Sequence, residues 1–173
     1  MSTMIVVYAA KTGLALGAVA TAAPVAVPPI PAGAVLELPV FSDATELKRV
    51  SFPAEDLSIA AIDVGSTGIQ EIFGFWVKET NVPTATGNRV DRQWQAVGSG
   101  VVATGKNDGI DVTVPGATGA AQVSVEVWNA GGRVLTRSVT PGMANPVGPL
   151  TSGDYLVVVP GFTPMNATVP PSP

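Results

Sequence analysis

Residues 122–139, QVSVEVWNAGGRVLTRSV, and 150–159, LTSGDYLVVV, decide the fold class. Val123, Val125 and Val127 alternate with Ser124, Glu126 and Trp128, and a period of two places successive side chains on opposite faces of a sheet. Asn129-Ala130-Gly131-Gly132 supplies residues that tolerate positive φ, so the chain is expected to reverse there into a second strand, Arg133 to Val139. A long Gly/Pro-rich loop then leads to a third strand that opens on Tyr155. The expected class is all-β.

Working outward, Asn107-Asp108-Gly109 predicts a turn, followed by a strand in which Ile110, Val112 and Val114 face one way. A further strand is expected from Trp94 to Val102. Glu79 to Arg92 (ETNVPTATGNRVDR) is the most polar and turn-rich stretch, and predicts a loop at a domain boundary with Arg89, Asp91 and Arg92 at its tip. Such a loop either contacts a partner or is simply solvated. Before it, Gln70 to Lys78 places Ile72, Gly74 and Trp76 on one face and Phe73, Phe75 and Val77 on the other. Both faces call for burial, in a central strand or at a subunit contact.

Ser58 to Val64 and Val35 to Phe41 predict two more strands, the second near an edge because Pro39 cannot donate to a ladder. Asp43 to Val50 resembles a helical turn, with Asp43 as N-cap and Glu46 at capping-box spacing. Pro53 to Asp56 is a turn. Met4 to Ala9 is apolar on both faces and predicts a covered strand, turning at Lys11-Thr12-Gly13 into Leu14 to Ala20. The same run imitates a secretory signal peptide, except that its Lys follows an already apolar segment. Gly13, Gly17 and Pro24 interrupt it too often for a membrane helix, and no membrane partner is predicted. Ala22 to Ala34 (AAPVAVPPIPAGA) cannot make a helix and predicts an extended arm.

Composition narrows the chemistry. The 173 residues contain neither cysteine nor histidine, which excludes disulfides, thiolate zinc sites and Ser-His-Asp or Cys-His catalysis. Charged residues make up 13% and the net charge is −4, so there is no electrostatic footprint for nucleic acid. A surface of small neutral residues suits burial against other subunits; a compositional bias toward Ala, Val, Gly and Pro explains it equally well. Gly100-Val-Val-Ala-Thr-Gly105-Lys106 matches a P-loop up to Asn107, which stands where Ser or Thr should hold magnesium, and a turn follows in place of a helix. Asn107, Asp108 and Asp111 are rich in oxygen but lack calcium-loop spacing. Glu55, Asp56, Asp63, Glu71 and Glu79 show no spacing that pairs two carboxylates across a cleft. Asn166-Ala167-Thr168 is a formal glycosylation sequon. No catalytic residue, metal ligand or cofactor is predicted, and the chain is not expected to be an enzyme.

One resemblance adds to this. The alternating valines into Val127-Trp128-Asn129, then Gly132-Arg-Val-Leu135, then Leu150-Thr-Ser-Gly153-Asp-Tyr155-Leu-Val-Val-Val159, resemble the Ig-like β-sandwich modules of the flagellar hook-capping protein and of secreted bacterial surface proteins. The Leu150 to Tyr155 spacing is similar to a tyrosine corner. Such modules recur in tailed-phage virion proteins. The resemblance implies an Ig-like sandwich over residues 93–163, with an N-terminal hairpin and Pro-rich arm at 1–33, a middle β-region at 34–92 and a Pro-rich tail at 164–173. Its last strand would be short or supplied by Asn166 to Val169.

The function implied is structural: a virion component, a head decoration, fibre or tail protein, that packs against other copies of itself and other virion proteins. Partner contacts are expected at Phe73, Phe75, Arg89, Arg92, Trp94 and Trp128. The alternative is a carbohydrate-binding or adhesion module at a bacterial surface or secreted, with Trp94 or Trp128 as the stacking platform. Trp128 is favoured for that role because it lies on the polar face of its strand.

Overall fold

A computed structural model describes residues 3–21, 26–41, 47–63, 74–117 and 120–172. The strands in chain order are β1 (Thr3–Ala9), β2 (Ala15–Thr21), β3 (Val35–Phe41), β4 (Leu47–Pro53), β5 (Leu57–Asp63), β6 (Phe75–Thr84), β7 (Gly87–Ala96), β8 (Val102–Lys106), β9 (Gly109–Thr113), β10 (Val123–Asn129), β11 (Gly132–Val139), β12 (Ala144–Val147), β13 (Gly153–Val158) and β14 (Met165–Val169). The chain is all-β, and among the described residues a 3₁₀ turn spans Ala54–Asp56. No helix among the described residues is long and apolar enough to cross a membrane.

The second half forms two sheets, β11-β10-β13-β14 and β12-β9-β8. They share one core, in which Ile110, Val112 and Val114 meet Val125, Val127, Val157 and Val169. The alternation read from the sequence is thus the alternation of this core. Asn129 and Gly132 pair at the end of the hairpin, as the turn chemistry requires, and a register shift beyond Val127 leaves Val134 as the extra residue of a bulge. Tyr155 is buried and its hydroxyl donates to the Thr151 carbonyl at 2.8 Å.

The last strand comes from the Asn166 to Val169 run, one of the two expected alternatives: β14 pairs with β13 and turns Ala167 and Val169 into the core. Two elements depart from expectation here. The Gly/Pro-rich loop contains β12, which pairs with β9 from Ala144↔Thr113 to Val147↔Ile110. The predicted strand from Trp94 to Val102 is split between the end of β7 and the start of β8. Gly105 lies in β8, not in a phosphate-binding loop. A Cβ there would collide with the Thr168 backbone, so Gly is needed for β8 to lie against β14.

In the first half, β1 is the central strand of the sheet β2-β1-β5. Met4, Val6 and Tyr8 are buried, while Thr3, Ile5 and Val7 are half-buried, so one face of β1 is fully covered and the other partly. Leu16 is skipped in the β1–β2 register, which passes from Val7↔Gly17 to Tyr8↔Ala15. Val35 to Phe41 is a strand as expected, paired with β4 alone. Leu47 to Val50, expected in a helical turn, belongs to β4, because its partner β3 supplies the ladder that local capping signals compete with. The cap itself, Asp43 and Glu46, lies outside the described residues, as do Ile72 and Phe73. Of the Pro-rich arm, residues 26–34 have no regular secondary structure apart from a turn at Ala32-Gly33, where the Ala34 amide donates to the Pro31 carbonyl, and are largely exposed.

The two halves are joined by a second core. Val50 and Phe52 of β4, with Ala9, Leu14 and Leu16, pack on Trp128, Leu156 and Val158. These three side chains lie on the face of the β10–β13 sheet opposite to the sandwich core. That sheet is therefore covered on both sides, which accounts for the continuous burial of Val125 to Trp128 and Tyr155 to Val158.

Candidate functional site

The polar stretch expected to be a loop, Glu79 to Arg92, is instead the outer part of a two-stranded ribbon. β6 and β7 pair without a register shift from Phe75↔Ala96 to Thr84↔Gly87, around a two-residue turn at Ala85-Thr86. Its polarity reflects a strand pair exposed on both faces, and periodicity carries no signal where neither face is buried.

The base of the ribbon is anchored in the body. Val77 is buried against Met4, Val6, Tyr8, Ala15, Ala60 and Ile62, and Trp94 packs against the same cluster. Phe75 stacks on Trp94, with ring centroids 5.1 Å apart and planes at 14°. The Trp94 Nε1 donor is buried and has no hydrogen-bond partner among the described residues.

Above the base sits a polar latch. The Tyr8 hydroxyl donates to Glu79 Oε1 at 2.6 Å and accepts from Arg92 Nε at 3.0 Å, while Arg92 Nε also donates to Glu79 Oε1 at 2.8 Å. Burial pushes the Tyr8 hydroxyl above its ordinary pKa, and its bond to Glu79 adds to this. Burial alone would raise Glu79, but hydrogen bonds from Tyr8 and Arg92 outweigh it and hold the carboxylate below its ordinary range. The latch ties both ribbon strands to the central strand of the N-terminal sheet.

Beyond the latch the ribbon stands free. From Lys78 to Gln93 every residue is exposed except Val82 and Asp91, which are half-buried. Arg89 pairs with Asp91 at 2.8 Å on one face, and Val90 is 38% exposed on the other. Such a ribbon is marginal in water without a third strand or a covering surface.

The expected contact residues divide accordingly. Phe75, Arg89, Arg92 and Trp94 are all on the ribbon; Phe75 and Trp94 at its base, Arg92 in the latch, Arg89 near the tip. Phe73 lies outside the described residues. Trp128 is a correction: it is 1% exposed and offers no face to a ligand. The face of β10 that reads as polar is covered by β4, where Phe52 packs on the indole at 4.3 Å between centroids. Its Nε1 donates to Glu126 Oε2 at 3.2 Å.

Glu126, 1% exposed, is part of a cluster at the junction of the halves that sequence reading missed. Arg133 Nη1 lies 2.7 Å from Asp56 Oδ1 and 3.3 Å from Glu126 Oε1, and its guanidinium sits over the Trp128 ring. Burial pushes the Glu126 carboxyl up, against the lowering effect of Arg133. The available signal was a charge at an alternating position followed seven residues later by Arg. The other carboxylates are held apart: Asp63 accepts from Thr3, and Asp111 faces Lys106 at 3.5 Å. No cluster of metal-ligating side chains occurs among the described residues.

Two grooves remain. The larger, about 570 Å³, runs between Arg49, Asn129, Thr151, Tyr155 and Thr168, and its single acidic lining residue is Asp154. The smaller, about 290 Å³, lies between Lys106, Asp108, Asp111 and Arg137, whose Nη1 donates to the Gly148 carbonyl. No family model matches the chain, and no match is found among curated proteins or solved structures.

Proposed function

We propose that the chain is a structural protein of a large homo-oligomeric assembly, most consistent with a tailed-phage virion component such as a head decoration, fibre or tail protein. It acts through subunit packing and carries out no catalysis. The observation that carries this reading is the β6–β7 ribbon. A ten-residue strand pair, latched at its base and exposed on both faces beyond it, costs backbone entropy that its own contacts do not offset. A neighbouring molecule supplies the missing surface. Low charge density and the exposed Pro-rich segment at residues 26–34 support the same reading.

The C-terminal sandwich is proposed to be Ig-like. In its favour are the β10–β11 hairpin and the Tyr155 hydroxyl bonded to the Thr151 carbonyl, four residues upstream, the geometry of a tyrosine corner. The glycan-binding alternative loses its favoured platform with the burial of Trp128.

Immunogold electron microscopy of the native source, with antibody raised against the purified chain, tests the reading. Label at regular positions on a virus particle is expected. Label on cell surfaces and none on particles would overturn the virion assignment.

A further inference from the structure

We infer that the outer edge of β7 pairs antiparallel with the same edge of a second copy, centred on Val90. The inference rests on the assembly reading above and names the surface that serves it. Its basis is hydrogen-bond parity. Thr84 and Gly87 close a two-residue turn, so they form a hydrogen-bonded pair. Counting back in twos, Arg89, Asp91 and Gln93 direct their backbone groups at β6, while Asn88, Val90 and Arg92 direct theirs outward. On β6 the outward residues are Pro83, Asn81, Glu79 and Val77. The Val77 amide confirms the count, since it leaves the ribbon to donate to the Gly13 carbonyl at 2.7 Å.

The two edges are thus unequal. On the β6 edge the Val77 amide is taken, and Pro83 has no N–H at the position where an added strand would need one. The β7 edge has no proline and no bulge, and the outward amides of Asn88, Val90 and Arg92 have no partner among the described residues. It is an open template.

Its sequence selects a second copy. With Val90 opposite Val90 of the second copy, Arg89 faces Asp91, Asp91 faces Arg89, and Asn88 faces Arg92. Opposite charges directly across a strand pair attract, and like charges repel. Centring the pair on Asp91 would oppose two aspartates, and centring it between Val90 and Asp91 would oppose Arg89 and Arg92. The second of these also sets outward amides opposite residues whose own backbone groups point at β6. The Val90-centred register alone satisfies charge and hydrogen bonding together, and it buries the exposed Val90 side chain against its twin.

The test uses the full chain, which has no native cysteine. V90C should form an intermolecular disulfide on mild oxidation, because hydrogen-bonded cross-strand Cα atoms lie about 5.5 Å apart; N81C, on the closed edge, should form none. In sedimentation equilibrium R89D and D91R should each weaken self-association about tenfold, and R89D/D91R should restore it. Circular dichroism checks that each variant folds, and all four sites are exposed or half-buried. Association that persists unchanged in R89D, D91R and V90P would overturn the β7 edge while leaving an assembly through another surface. Absence of association in the wild-type chain would overturn both readings.

Discussion

Single residues decide how the two halves hold together. Arg133 serves two carboxylates at once, Asp56 from the 3₁₀ turn and Glu126 from β10, and all three are largely removed from water. Arg133→Met would leave two buried anions without a cation, at a cost of about 3 kcal/mol or more, visible as a lower urea midpoint. Glu126 has its folded pKa raised by burial. A raised acid contributes stability that is fully present below its unfolded pKa and lost as pH rises through the folded value. Melting of wild type and Glu126→Gln between pH 4 and 8 should therefore show the wild type losing ground to the variant as pH rises; a difference independent of pH would contradict the burial argument. Tyr155→Phe should cost about 1 kcal/mol, since it strands the Thr151 carbonyl.

At the scale of elements, what was legible in the sequence is whatever one face of the chain buries. The β10–β11 hairpin, β3, β9 and β13 were readable because Val125, Val127, Leu36, Leu38, Ile110, Val112 and Val157 fall at alternating positions over a core. β14 was legible only as the Asn166 to Val169 alternative for the last strand, and β12 was not, being short, broken by Pro146 and held by pairing with β9. The outer half of the ribbon reads as a loop because neither of its faces is buried, and Leu47 to Val50 reads as a helical turn because the cap signal at Asp43 and Glu46 is local, whereas pairing to β3 is not. Four of the six expected contact residues fall on the ribbon, yet its partners Tyr8 and Glu79 are 71 residues apart, a separation no local pattern reports. The latch makes its own prediction. Tyr8→Phe should raise the Glu79 pKa toward its ordinary value in a carboxylate NMR titration, because a hydrogen bond that favours the ionised form is lost. A second element test is Gly105→Ala, which forces β8 off the Thr168 backbone and should cost about 1–3 kcal/mol.

On the scale of the whole molecule, the sandwich, the N-terminal sheet and the base of the ribbon form the packed body, and the ribbon beyond the latch is the part that body does not need. Residues 81–90 can be replaced by Asn-Gly, which leaves Thr80 and Asp91 as the hydrogen-bonded pair that closes the turn and keeps the Glu79–Arg92 latch. The melting temperature of this shortened chain should match the wild type within a few degrees, since no buried side chain is removed. Its association should not match. Sedimentation equilibrium of the full-length and shortened chains side by side is the most direct measurement: the account predicts oligomers for the first and monomers for the second, and equal association of the two would contradict it.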